Sequence, residues 1–282
     1  MNKNNYPIKL MCEELEISRD SYYKYINRKN ILNIYDKRRM ELSPLIIKYY
    51  NISNCTAGYR QIRDQIEFHE NIYLSEYMVY KIKCKDLKLP EIRKKRNKGK
   101  YTIPITTKEN QYRYDNIAET VNINDINQVL STDTTEVSID KEKQNISFII
   151  DAYTSEVLVS CISKKLDNEF IELNMNLLEK KDYDLNNIII HSDRGGMYRS
   201  GIYKTKTTEM NLIPSMSAPF TCTHNPWIET LNGQFKDFIK INYPKNLDEL
   251  KIALNNFVHY NNNIKIKRKL KTTPIQYRCC NS

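Results

Sequence analysis

Asp193 and Glu229 are two carboxylates with 35 residues between them. The β-branched run Ile188-Ile189-Ile190 leads into His191-Ser192-Asp193, so Asp193 is expected at the end of a buried strand. From Pro226 onward, Trp227, Leu231, Phe235, Phe238 and Ile239 recur at helical spacing. They leave Glu229, Asn232, Gly233, Lys236 and Lys240 on the other side of a helix. One acid at a strand end and another on a helix packing back beside it make an oxygen-donor site of the kind Mg²⁺ or Mn²⁺ prefers. Each acid alone has a plainer explanation. Asp193 could cap the turn at Gly195-Gly196, and Glu229 could favour the helix dipole. The joint spacing favours the metal site.

A two-ion site needs a third carboxylate upstream on a neighbouring strand. The segment 127–139 has strand composition with Asp133 at its centre, flanked by Thr132, Thr134 and Thr135. Asp151 is a rival, because it too ends an apolar run. Asp133 is preferred, since the first strand of a meander would lie beside the Asp193 strand. Further strands are expected over 145–152 and 156–163, then a helix over 167–181, the strand ending at Asp193, a helix over 197–210 and a short strand over 212–217. With the Glu229 helix this is a mixed α/β order.

These blocks resemble the DDE transposases of the IS-three type of bacterial insertion sequence, the OrfB product, which are similar to retroviral integrases. The resemblance rests on Thr132-Asp133-Thr134-Thr135, on His191-Ser192-Asp193-Arg194-Gly195-Gly196-Met197-Tyr198, and on Ser215-Met216-Ser217 leading to Asn225-Pro226-Trp227-Ile228-Glu229. It extends over nearly the whole chain. Leu130, Phe220, His224, Pro226 and Ile264 depart from the family pattern, and none of them is a predicted metal ligand.

The resemblance implies an α/β, RNase H-like (integrase) catalytic core with a mainly helical, helix-turn-helix-like N-terminal region. It implies Asp133, Asp193 and Glu229 as catalytic residues holding Mg²⁺ or Mn²⁺, two ions in all, with His191 and Asn225 supporting them. The implied activity is metal-dependent cleavage and transfer of DNA strands. The implied partners are the ends of the element, target DNA, a second copy of the chain, and an upstream OrfA-type product or frameshift fusion. A nuclease of the same fold that stops after cleavage, and a non-catalytic DNA-binding remnant or regulator, are the alternatives.

Charge is unevenly spread. Residues 1–110 hold 23 Lys and Arg against 13 Asp and Glu, whereas residues 111–282 hold 21 of each. The net charge of +10 therefore lies ahead of the acids, as suits an enzyme acting on nucleic acid. Seven cysteines are scattered without zinc-ligand spacing, consistent with reduced thiols in a cytoplasm. No apolar run approaches membrane-spanning length, so a soluble, cytoplasmic protein, nucleoid-associated when on DNA, is expected.

The expected organisation is a helical hairpin over 1–45, a helix-turn-helix-like DNA-binding unit over 46–90, a basic linker and connector over 91–125, the catalytic core over 126–243, and a C-terminal helix with a basic tail over 244–282. Ser18 is placed to cap the second hairpin helix. Asn246 and Glu249 are placed to form a capping box. Candidate phosphate contacts are Arg60 with Arg63, Lys81, Lys83 and Lys85, the linker residues Arg93, Lys94, Lys95 and Arg96, and Lys236 and Lys240 beyond Glu229.

Overall fold

The computed structural model describes residues 6–29, 33–90, 112–181, 183–217 and 225–281. Two short helices open the chain, α1 (Ile8–Glu14) and α2 (Arg19–Lys29). Ser18 caps α2 by accepting the Ser21 N–H at 3.1 Å. Three helices follow: α3 (Ile34–Ile52), α4 (Tyr59–Glu70) and α5 (Glu76–Tyr80), the last continuing as a wider π-type turn through Asp86. Asn33 and Ser75 cap α3 and α5 through their side chains. Leu42, Ile46, Tyr49 and Tyr50 of α3 close over Ile62 and Ile66 of α4 and over Val79 and Ile82, giving this helical unit its own core. Lys83 departs from the expectation of a phosphate contact. It is buried, with its ammonium 5.3 Å from the Tyr50 ring, because the wider turn carries it inward beside Ile82.

Five strands form one sheet: β1 (Val129–Ile139), β2 (Glu142–Asp151), β3 (Val157–Ser163), β4 (Ile189–Ser192) and β5 (Ile213–Met216). Their order is β3-β2-β1-β4-β5. The first three make an antiparallel meander, and β4 and β5 join parallel to β1. Between and after them come α6 (Asn168–Glu179), α7 (Gly201–Glu209), α8 (Pro226–Ile239), α9 (Leu247–His259) and α10 (Pro274–Asn281).

Side chains alternate across a strand, so β1 feeds two cores. Val137 and Ile139, with Ile146 and Phe148 of β2, pack under Ile228, Leu231 and Phe235 of α8 and Leu250 and Phe257 of α9. Leu130 and Ile149 face the other way, toward Ile171 and Met175 of α6 and Tyr203 of α7. The sheet is thus covered by helices on both faces.

The helix expected over 197–210 is divided. A single turn at Met197–Arg199 precedes α7, because the Ser200 side chain caps α7 by accepting the Tyr203 N–H at 3.2 Å. Asn246 accepts the Glu249 N–H at 2.8 Å, and Glu249 accepts the Lys245 N–H at 2.8 Å, which starts α9 as anticipated. The helical unit docks on this end of the core. Gln65 donates to Tyr260 at 3.2 Å, Arg268 pairs with Asp64 at 2.8 Å, and Ile52 and Ile264 belong to both hydrophobic clusters. No helix among the described residues is long and apolar enough to cross a membrane.

Candidate active site

Parallel pairing of β1 with β4 sets the first two acids level. Ser131 pairs with His191, so Asp133 and Asp193, each two residues further along, lie side by side. Asp133 shares its face of the sheet with Ser131 and Val137, the face that α8 covers. Asn225, at the start of α8, is buried. Its side-chain oxygen accepts from the Ser131 hydroxyl, and its nitrogen donates to the Thr132 carbonyl at 3.3 Å. Two turns along, Asn232 donates from Nδ2 to Asp133 Oδ2 at 2.8 Å. Glu229, in the first turn of α8, lies between these two anchors. The helix is therefore held to β1 on both sides of its acid.

Each acid on the sheet has a local donor. Asp133 Oδ1 accepts the Thr134 N–H at 2.7 Å, and Asp193 Oδ1 accepts the Gly195 N–H at 2.8 Å. A Cβ on Gly195 would sit 2.9 Å from Asp193 Oδ1, so any larger residue here would push that carboxylate aside. Behind β1, the buried Tyr198 hydroxyl lies 3.3 Å from Thr132 Oγ1 and 3.5 Å from Thr134 Oγ1, tying the Asp193 loop to the strand of Asp133.

The electrostatics follow from this crowding. Burial and the Asp193 carboxylate, joined by Glu229, push Asp133 up to about 7 against the opposing hydrogen bonds from Thr134 and Asn232. Burial raises Asp193, offset by the Gly195 N–H and the Arg199 guanidinium. Burial also raises Glu229. The groups are ringed by protein yet open to water: Asp133 is half-buried, while Asp193 and Glu229 are exposed. Such mutual repulsion is what a cation relieves, and an all-carboxylate donor set fits hard divalent ions. Among the described residues no three His, Cys, Asp or Glu side chains stand close enough together to hold an ion.

The remaining predicted residues fall as follows. Asp151, the rival acid, caps the β2–β3 turn; its oxygens accept from the Thr154 N–H at 2.7 Å, the Thr154 hydroxyl at 2.8 Å and the Asn127 N–H at 2.8 Å. His191 is buried and joins β4 to β5 through Ser215 at 3.0 Å and Ser217 at 3.1 Å. Lys236 is exposed on α8, and Lys240 is exposed at its C-terminal cap. Arg60 lies over the Tyr59 ring and bonds Glu76 at 3.1 Å, as does Arg63. Arg93, Lys94, Lys95 and Arg96 lie outside the described residues, as do Phe220 and His224. Asn232, Tyr198 and Arg199 had no role assigned from sequence. For Asn232 a signal was present, a polar side chain one turn beyond Glu229 on the face left free by the apolar stripe.

No protein-family model matches the chain. By sequence it is similar to the InsK transposase of insertion sequence IS150 from Escherichia coli K12, 30% identical over 154 residues, 54% of each chain. It is also similar to the InsF transposase of insertion sequence IS3A from the same organism, 22% identical over 82% of this chain and 78% of that one. The chain thus spans about half the length of the first of these relatives. By structure it is similar to a chain of a simian T-cell lymphotropic virus intasome in complex with the PP2A regulatory subunit B56 gamma, with a TM-score of 0.50, 13% identity and coverage of 82% and 71%. It also matches the HTLV-2 integrase catalytic core in complex with magnesium, with a TM-score of 0.44, 18% identity and coverage of 54% and 95%. The core has the RNase H-like fold of integrase catalytic domains.

Proposed function

We propose that this chain, which belongs with the IS3-type insertion-sequence transposases, catalyses metal-dependent cleavage of DNA strands and their transfer into a target. One observation supports the reading: β1 pairs with β4 so that Asp133 lies level with Asp193, and Asn232 ties the helix that carries Glu229 to Asp133. Asp133, Asp193 and Glu229 hold the metal, two Mg²⁺ or Mn²⁺ ions. Bound there, the ions supply Lewis-acid activation of the attacking oxygen and stabilisation of the leaving oxygen in an in-line displacement.

The chain's own groups orient the carboxylates. The Thr134 N–H and Asn232 hold the two oxygens of Asp133, the Gly195 N–H holds Asp193, and Asn225 fixes the helix that presents Glu229. Lys236, two turns beyond Glu229, and Lys240 face solvent where DNA entering the site would pass, and contact its backbone. Arg60, with Arg93, Lys94, Lys95 and Arg96 of the linker, extends that contact. Helices α4 and α5 form a helix-turn-helix-like DNA-binding unit over 46–90, preceded by the hairpin over 1–45. The linker and connector over 91–125 lead to a catalytic core over 126–243 and a tail over 244–282. Joining two ends calls for at least two copies, acting with an OrfA-type product or as a fusion with it, on DNA in the cytoplasm. The related chains are named as transposases, which supports strand transfer over cleavage alone.

The test is cleavage and joining of labelled DNA carrying the ends of the flanking element, with Mg²⁺, Mn²⁺ or EDTA. Joined product with either metal, absent with EDTA and absent for Glu229→Gln, is expected. Product formed in EDTA, or undiminished in the variant, would overturn the assignment.

A further inference from the structure

Two arginines of the core are nine-tenths buried or more, and they are treated very differently. Arg278 of α10 is 6% exposed. It bonds Glu156 at 2.5 Å and Asn127 at 2.8 Å, and lies 4.3 Å from the Tyr183 ring. Arg199 is 8% exposed. Among the described residues its guanidinium makes no hydrogen bond and no ion pair, and its Nε is wholly enclosed without an acceptor. A buried cation without a counter-charge is costly. Such a group is kept where something else supplies the charge.

The position of Arg199 indicates what that is. It closes the turn that follows Asp193, Gly195 and Gly196, with its own N–H donating to the Gly196 carbonyl at 3.3 Å. Its carbonyl accepts the Tyr112 N–H at 3.1 Å, which holds the backbone in place. The preceding residue, Tyr198, is packed behind the strand of Asp133. The charge of Arg199 is felt at Asp193, although the two are not ion-paired. Asp193 is therefore near but does not satisfy the guanidinium.

We propose that Arg199 is a phosphate-binding residue that takes the non-bridging oxygens of a DNA phosphodiester beside the three acids. Its planar fork matches two phosphate oxygens. The inference rests on the function proposed above, since it needs DNA at the acids.

The test is binding of a random-sequence duplex in EDTA, where no chemistry occurs, over about 50 to 200 mM KCl. Arg199→Gln should weaken binding about 3-fold at low salt and make the salt dependence shallower by about one phosphate contact. A merely structural arginine would not move that slope, so a folded Arg199→Gln with the wild-type slope overturns the proposal. Should that variant fail to fold, Arg199→Lys decides. It keeps the charge but loses the fork, and its single-turnover cleavage in Mg²⁺ should fall at least about 10-fold; cleavage at the wild-type rate overturns the site. Wild-type protein that does not bind duplex DNA would overturn the proposed function as well. Wild type that binds and cuts, with an unchanged slope in Arg199→Gln, overturns this site alone.

Discussion

Asn232 donates from its side-chain nitrogen to Asp133 Oδ2 at 2.8 Å, joining α8 to β1 across 99 residues of chain. The contact fixes the orientation of the most perturbed acid of the site from the helix that carries Glu229. Replacing Asn232 with Leu removes the donor and keeps the bulk. The variant should melt within a few degrees of wild type but lose roughly 10- to 100-fold in activity or metal affinity, as loss of a group that orients a ligand does. Titrating Mg²⁺ against the cleavage rate checks this, and an unchanged titration curve would remove Asn232 from the site.

The acids also make the metal-free protein sensitive to pH. Asp133 titrates at about 7 when folded and near 3.8 when unfolded. Between those values the folded state holds the extra proton, so stability falls as pH rises through this window and levels off above it. The loss attributable to Asp133 is on the order of 4 kcal/mol. In EDTA, Asp133→Asn should therefore lose less stability than wild type between pH 4 and pH 8. Parallel melting-temperature profiles for the two proteins would refute the coupling.

Adding Mg²⁺ at about pH 7 should release protons and raise the melting temperature of wild type, because a cation and a proton compete for the same carboxylate. Calorimetry in buffers of different ionisation enthalpy reads the proton count. Glu229→Gln should reduce the stabilisation by Mg²⁺; an undiminished shift would place the ion elsewhere.

Gly195 is constrained by proximity rather than by backbone conformation, since a Cβ there would meet Asp193 Oδ1 at 2.9 Å. Gly195→Ala should fold and yet displace the carboxylate, lowering activity by about 10-fold or more. Full activity in this variant would show that the orientation of Asp193 is not critical.

Glu156 and Arg278, both nearly fully buried, lock α10 onto the start of β3. Arg278→Met alone should cost about 3 to 5 kcal/mol, because it strands a buried carboxylate. Pairing it with Glu156→Gln should recover part of that loss. Denaturant unfolding of both variants measures the difference, and equal stability of the single and double variants would refute the coupling.

Much of this was legible in the residues themselves. Apolar runs with period 2 or 3.6 mark where strands and helices form, and Ser18, Asn246 and Glu249 mark helix starts, because these signals act within a few residues of chain. The same short-range patterns placed Asp193 at a strand end and Glu229 in a first helical turn. They left Asp133 and Asp151 as rivals, since both belong to β-branched stretches. The expected meander order favours Asp133, and the sheet has that order: β1 pairs parallel with β4 and brings Asp133 level with Asp193, whereas Asp151 is drawn into the β2–β3 turn by Thr154 and Asn127. Lys83 reads as a phosphate contact and is buried beneath Tyr50, and Arg199, to which the sequence assigns no role, is buried in the turn that follows Asp193. Strand pairing and helix packing join residues far apart in the chain, so which charges are enclosed, and which meet, is decided by tertiary contacts that no local spacing records.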